Sequence, residues 1–122
     1  PPQSKLLLSD TIGEYGIRSL LKEWLSPRTA VLTAAGWNGD RFALIESPSP
    51  NHPEAQLEWI SYWSTEQAAE DFAAALEALL TKRFSKPSAL EPNRIIFTHP
   101  KWRKIAIEHE STRVKTILSR PE

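Results

Sequence analysis

The chain has 122 residues, 40% of them hydrophobic and 25% charged, which is one domain-sized unit able to bury roughly two-thirds of its unfolded surface. Fifteen basic and fifteen acidic side chains cancel, so nothing steers the whole molecule toward nucleic acid or an anionic membrane. The absence of cysteine excludes a disulfide framework, a thiol nucleophile and a thiolate metal site, and no apolar run approaches the about eighteen residues of a membrane-spanning helix.

In chain order, Pro1-Pro2-Gln3-Ser4 with no methionine anywhere reads as a processed terminus or, the favoured expectation, as the start of a segment cut from a longer protein. Leu6-Leu7-Leu8 is a short apolar run compatible with a strand. Asp10 or Thr11 can then cap a helix whose apolar face is Ile12, Tyr15, Ile17, Leu20, Leu21, Trp24 and Leu25, at spacings of three and four. Ser26-Pro27 restarts the chain as N-cap and first helical residue. Residues 28–35 follow as a short helix, with Gly36 as its left-handed stop. A strand over 29–35 competes, because Asn38-Gly39 is a hairpin signal, but Ala30, Ala34 and Ala35 favour the helix.

Arg41 to Glu46 alternates as a strand, and residues 47–53, with three prolines, form a loop. Leu57 to Trp63 is aromatic and branched, a second strand. Ser64 and Gln67 form a capping box ahead of a helix that buries Ala68, Phe72, Ala75, Leu76, Leu79 and Leu80 and closes with Lys82 and Arg83. A linker over 85–93 leads to a strand at 94–98, a turn at His99-Pro100-Lys101 and a returning strand at 102–109. Val114, Ile117 and Leu118 mark a short final helix started by Ser111. The expected fold is a single α+β domain over residues 1–122. It has an antiparallel or mixed sheet of about four strands, with helices packed mainly on one face.

Catalytic patterns are missing. His52, His99 and His109 have no helical ligand spacing, and Glu108-His109-Glu110 in a strand sends neighbours to opposite faces. No serine sits in a nucleophile elbow, and Gly36-x-x-Gly39 lacks the third glycine and the lysine of a phosphate loop. Trp37, Trp59, Trp63 and Trp102 fit a small core better than a stacking platform. The clusters Lys82, Arg83, Lys86 and Lys101, Arg103, Lys104 read as a helix end and a hairpin kept soluble by charge.

The densest segment is Gly36-Trp37-Asn38-Gly39-Asp40-Arg41, with two of the chain's four glycines. Asp40 is placed to accept N–H bonds from the Gly36–Gly39 loop, and Arg41 to reach Glu14 or Asp10 on the first helix, or to receive an anion. Here the chain resembles a little-characterised group of prokaryotic proteins, many of them predicted to be exported. Their alanine-rich helix runs into a Gly-Trp-Gly-Gly-Asp-Arg motif, followed by a tryptophan-ended strand and another alanine-rich helix. The matching residues are Ala34-Ala35-Gly36-Trp37-Asn38-Gly39-Asp40-Arg41, then Trp63, then Ala68-Ala69 with Phe72, and upstream Thr11-Ile12-Gly13-Glu14-Tyr15. Asn38 departs from the usual glycine. The resemblance implies no activity, cofactor or catalytic residue.

The resulting expectation is a non-catalytic accessory or interaction module of a larger prokaryotic protein, with the parent chain or another protein as partner. It names no cofactor, no metal ligand, and neither nucleic acid nor membrane insertion for this segment. The alternative is a small-ligand or enzymatic domain with a pocket near Trp37, Asp40, Arg41 and Trp63.

Overall fold

A computed structural model describes residues 5–47, 54–99 and 103–119. Its elements are β1 (Lys5–Asp10), α1 (Gly13–Lys22), α2 (Pro27–Ala34), β2 (Trp37–Ser47), β3 (Glu54–Trp63), α3 (Glu66–Phe84), β4 (Ala89–Glu91), β5 (Arg94–His99), β6 (Arg103–Glu110) and β7 (Arg113–Ser119). Among the described residues the seven strands form one sheet, ordered β1-β2-β3-β7-β6-β5-β4, with every pairing antiparallel. The expected sheet of about four strands is therefore wrong in size, while the mixture of helices with an antiparallel sheet stands. The proline loop with His52, and Pro100, Lys101 and Trp102, lie outside the described residues.

Two misread segments account for most of the difference. Residues 113–119 are a strand, not a helix. Val114, Ile117 and Leu118 have helical spacing, but β7 fills the slot between β3 and β6, where its backbone is bonded on both sides. Val114 and Thr116 point to one face and are buried, while Arg113 and Lys115 point to the other. Branched residues that pack on both neighbours outweigh the weak helical period. The second is the expected linker, whose residues Ala89, Leu90 and Glu91 pair with Ile96, Ile95 and Arg94 as β4.

Register separates the two faces of the sheet. Phe42, Trp59, Thr116 and Ile107 lie in line on one, as do Asp40, Ser61 and Val114. This face carries the core: Trp59, Trp63, Phe97, Ile105, Ile107 and Val114 pack with Phe72, Leu76, Leu79 and Leu80 of α3. Phe72 stacks on Trp63 at 4.5 Å between centroids and meets Trp59 edge-on at 5.6 Å. The other face carries Glu58, Lys115, Glu108 and Arg94, joined in the ion pairs Lys115–Glu58 (3.5 Å) and Arg94–Glu108 (3.1 Å).

The helices differ from expectation mainly at their starts. Ser26 caps α2 as read from sequence, its Oγ accepting from the Thr29 N–H at 3.1 Å. In α3 the cap is Thr65, not Ser64: the Thr65 Oγ1 accepts the Ala68 N–H at 3.0 Å, while Ser64 donates its N–H to the Gly36 carbonyl at 2.9 Å. Gln67 accordingly bonds Asp71 one turn on and closes no capping box. In α1 only Ile17 and Leu21 are fully buried, while Tyr15, Leu20 and Trp24 stay exposed, so the broad apolar face is half used.

Candidate functional site

Strand alternation would normally send Trp37 and Asp40, three residues apart, to opposite faces. A bulge between Trp37 and Gly39 adds one residue to β2 and returns both to the helix-covered face. Gly39 supports the bulge with φ at 142°, a backbone region open to glycine and strained for other residues. Gly36 does not supply the left-handed stop expected of it: the positive-φ glycines are Gly13 and Gly39. Its role is proximity. A Cβ on Gly36 would sit 2.7 Å from the Ala68 Cβ, where the end of α2 meets the start of α3. Asn38 also keeps negative φ, so its replacement of a glycine needs no left-handed tolerance.

The bulge delivers the Asp40 carboxylate, on a residue 8% exposed, to four donors. Oδ2 accepts the Ile12 N–H at 2.8 Å and the Trp59 Nε1–H at 2.9 Å. Oδ1 accepts the Gly13 N–H at 2.8 Å and the Trp37 Nε1–H at 2.9 Å. The Thr11 hydroxyl also donates to the Asp40 carbonyl at 3.1 Å. Asp40 thus replaces the cap sought in Asp10 or Thr11, and it acts from a different element: α1 has no side-chain cap of its own. The Gly36–Gly39 loop is not its donor. Burial pushes the Asp40 carboxyl upward, but the backbone donors Ile12 and Gly13, with the two indoles, outweigh it and hold the pKa below the usual carboxylate value. The positive end of α1 favours the same anion.

Arg41, the next residue, must point to the opposite face and cannot reach α1. Its Nη2 donates to the Ser9 Oγ at 2.6 Å, tying β2 to β1, so neither Glu14 nor Asp10 is its hydrogen-bond partner. Trp63 faces the core beside Ser61, whose Oγ accepts its indole N–H at 2.9 Å. Gly36, Trp37, Gly39, Asp40 and Trp63 therefore gather around the α1–α2–β2–β3 junction, and Arg41 stands apart. Trp59 and the backbone of Ile12 and Gly13 belong to the cluster although no motif pointed to them. The period of two relating Trp59, Ser61 and Trp63 was the available signal for Trp59.

Other sequence candidates disperse. Glu108 and Glu110 bond Arg94 and Arg113, while the His109 ring contacts the Ser111 carbonyl at 3.0 Å. Among the described residues no three His, Asp or Glu side chains are placed to hold a metal ion. Lys82 donates to the Trp24 carbonyl at 2.9 Å, and Arg83 lies over the Phe84 ring. An apolar recess of ≈ 260 Å³ opens beside the cluster, lined by Ile12, Leu20, Phe42, Leu57, Trp59 and Leu118. Among the described residues no helix is long and apolar enough to cross a membrane.

A family model described as a domain of unknown function (DUF8575) matches residues 5–122, so the chain belongs to that family. No curated protein and no solved structure matches the chain.

Proposed function

We propose that this member of the DUF8575 family is a non-catalytic interaction module of a larger prokaryotic protein, with its Gly36–Arg41 motif serving as an internal joint. The observation that carries the reading is the occupancy of Asp40. A carboxylate offers about four lone-pair sites, and the four donors of its own chain take them up, leaving no acceptor for a ligand. Arg41 stands apart from this cluster and donates one of its N–H groups to Ser9. The resemblance to exported prokaryotic proteins adds the setting: a domain carried by an exported parent chain.

What the module presents to a partner is its β1 flank. Leu6 and Leu8 are 57% and 49% exposed there, and the apolar recess opens on the same side of the molecule as Leu8. The alternative reading, a small-ligand or enzymatic domain, draws on that recess, which shares Trp59 with the Asp40 cluster.

Urea unfolding of two variants separates the readings. Asp40→Ala strands four donors, the Trp59 indole among them buried, and lowers stability by roughly 3 kcal/mol, whereas Arg41→Ala stays within about 0.5 kcal/mol of the parent. An Asp40→Ala protein as stable as the wild type, yet deprived of a small-molecule interaction that the wild type shows, would overturn the joint in favour of ligand binding.

A further inference from the structure

The apolar recess beside the Asp40 cluster is built from two elements of different kind. Its floor is a pair of register partners on β2 and β3, Phe42 and Trp59, and a pair on β3 and β7, Leu57 and Leu118. Ile12 and Leu20 bound it from the α1 side. They are 40% and 37% exposed where Trp59 is 9% exposed, so they form the mouth. Two helical turns separate them, and Gly16 midway places no side chain in the gap. Glycine inside a helix is less stable than alanine, but a Cβ here would lie 2.8 Å from the Ile12 Cγ2.

The chemistry of the walls selects the ligand. No polar atom faces the recess. The Trp59 indole N–H and the Ile12 N–H are both turned to the Asp40 Oδ2, at 2.9 and 2.8 Å. Water needs two or more polar partners to be held, so it is held weakly here and an apolar group displaces it with gain. A hydroxyl or charge pushed to the floor would be buried unpaired. No nucleophile, acid or base lines the recess, so what enters it is bound and not transformed. A closed cavity of about 150 Å³ takes a six-carbon ring, so ≈ 260 Å³ takes about ten carbons. The open mouth lets a polar head stay in water.

We propose that this recess is a binding site for the alkyl chain of an amphiphile, about ten carbons deep, between α1 and the sheet. The site is distinct from the Asp40 carboxylate, whose acceptors are taken, and the proposal goes beyond the interaction-module reading without resting on it. Binding leaves the joint intact and is felt there, because Ile12 and Trp59 belong to both.

Nuclear magnetic resonance titration of the protein with uncharged n-alkanols, from 1-hexanol to 1-dodecanol, tests it. The methyl resonances of Ile12, Leu57 and Leu118 and the Trp59 indole N–H shift and saturate. Affinity rises about fourfold per added methylene, the transfer value of one buried CH₂, and levels off near about ten carbons. A diol of eight carbons, with a hydroxyl at each end, binds roughly tenfold more weakly than 1-octanol. Leu57→Trp fills part of the recess and moves the levelling to a shorter chain. Leu20→Glu, at the exposed mouth, keeps the unfolding midpoint and weakens binding several-fold. Shifts that do not saturate, or that centre on Leu6 and Leu8 instead, overturn the proposal. So does a diol that binds as well as the alcohol, or binding indifferent to both variants. The module reading is judged separately, by the stability of Asp40→Ala.

Discussion

The indole N–H of Trp59 and the Oδ2 atom of Asp40 are 2.9 Å apart, on adjacent strands and two pairs out of direct register. Asp40 lies opposite Ser61 and Trp59 opposite Phe42, so the bond runs diagonally across the β2–β3 ladder. Through the same oxygen it continues to the Ile12 N–H at the start of α1. One carboxylate thereby sets the distance and the angle between a helix and the sheet it covers.

The indoles should be unequal contributors. Trp59 is 9% exposed and Trp37 is half-buried, so a lost donor is replaced by water more readily at position 37. Trp59→Phe is expected to cost about 2 kcal/mol and Trp37→Phe about 1 kcal/mol in urea unfolding. Equal costs would mean that ring packing, and not the bond to Asp40, sets the loss.

Acid should expose the joint. The Asp40 pKa is lower in the folded chain than the unfolded value of about 3.9. Its contribution is complete above that unfolded value and is lost as pH falls from there through the depressed folded pKa. The stability gap between wild type and Asp40→Asn should therefore hold steady from about pH 7 to about pH 5 and narrow below about pH 4. A gap constant down to pH 3 would sink this account of the cluster.

At the α2–α3 contact, Gly36→Ala is expected to cost roughly 2 kcal/mol, since neither methyl can swing away from a 2.7 Å approach. Ala68→Gly in the same chain should recover part of the loss despite its own helical penalty. A double-mutant cycle with no coupling would show that the two backbones simply separate.

Thr116 offers a gain. Its hydroxyl is buried between Trp59 and Ile107 on the core face and has no hydrogen-bond partner among the described residues. Thr116→Val keeps the shape, removes the orphaned group and should raise stability by about 1 kcal/mol, read from the thermal or urea midpoint.

The sequence was most readable where local rules act alone. Ser26-Pro27 gave a cap and a first turn, and the alanine and leucine stripe of α3 gave a long helix buried on one side. It was least readable where a distant residue decides the outcome. Nothing local shows that the cap of α1 arrives from Asp40, because the connection depends on β1 and β2 pairing first. β7 was misread for a similar reason: its two neighbours, β3 and β6, come from opposite halves of the chain, and only between them does its alternation outweigh a helical spacing. The Gly36–Arg41 motif was visible as a demanding junction, but the bulge that turns Trp37 toward Asp40 has no signature beyond Gly39.

The strand order also has a kinetic consequence. Strands β1 to β3 form one meander and β4 to β7 another, and the only ladder between them is β3 with β7, where Leu57 lies opposite Leu118. Each meander closes through short loops or the α1–α2 excursion, whereas that central seam must bring the middle of the chain to its C-terminal part, across α3 and the second meander. Closing so large a loop is entropically slow. Folding should therefore wait on two preformed half-sheets meeting under α3, and substitutions along the seam, such as at Ser61 or Val114, should slow refolding more than they speed unfolding.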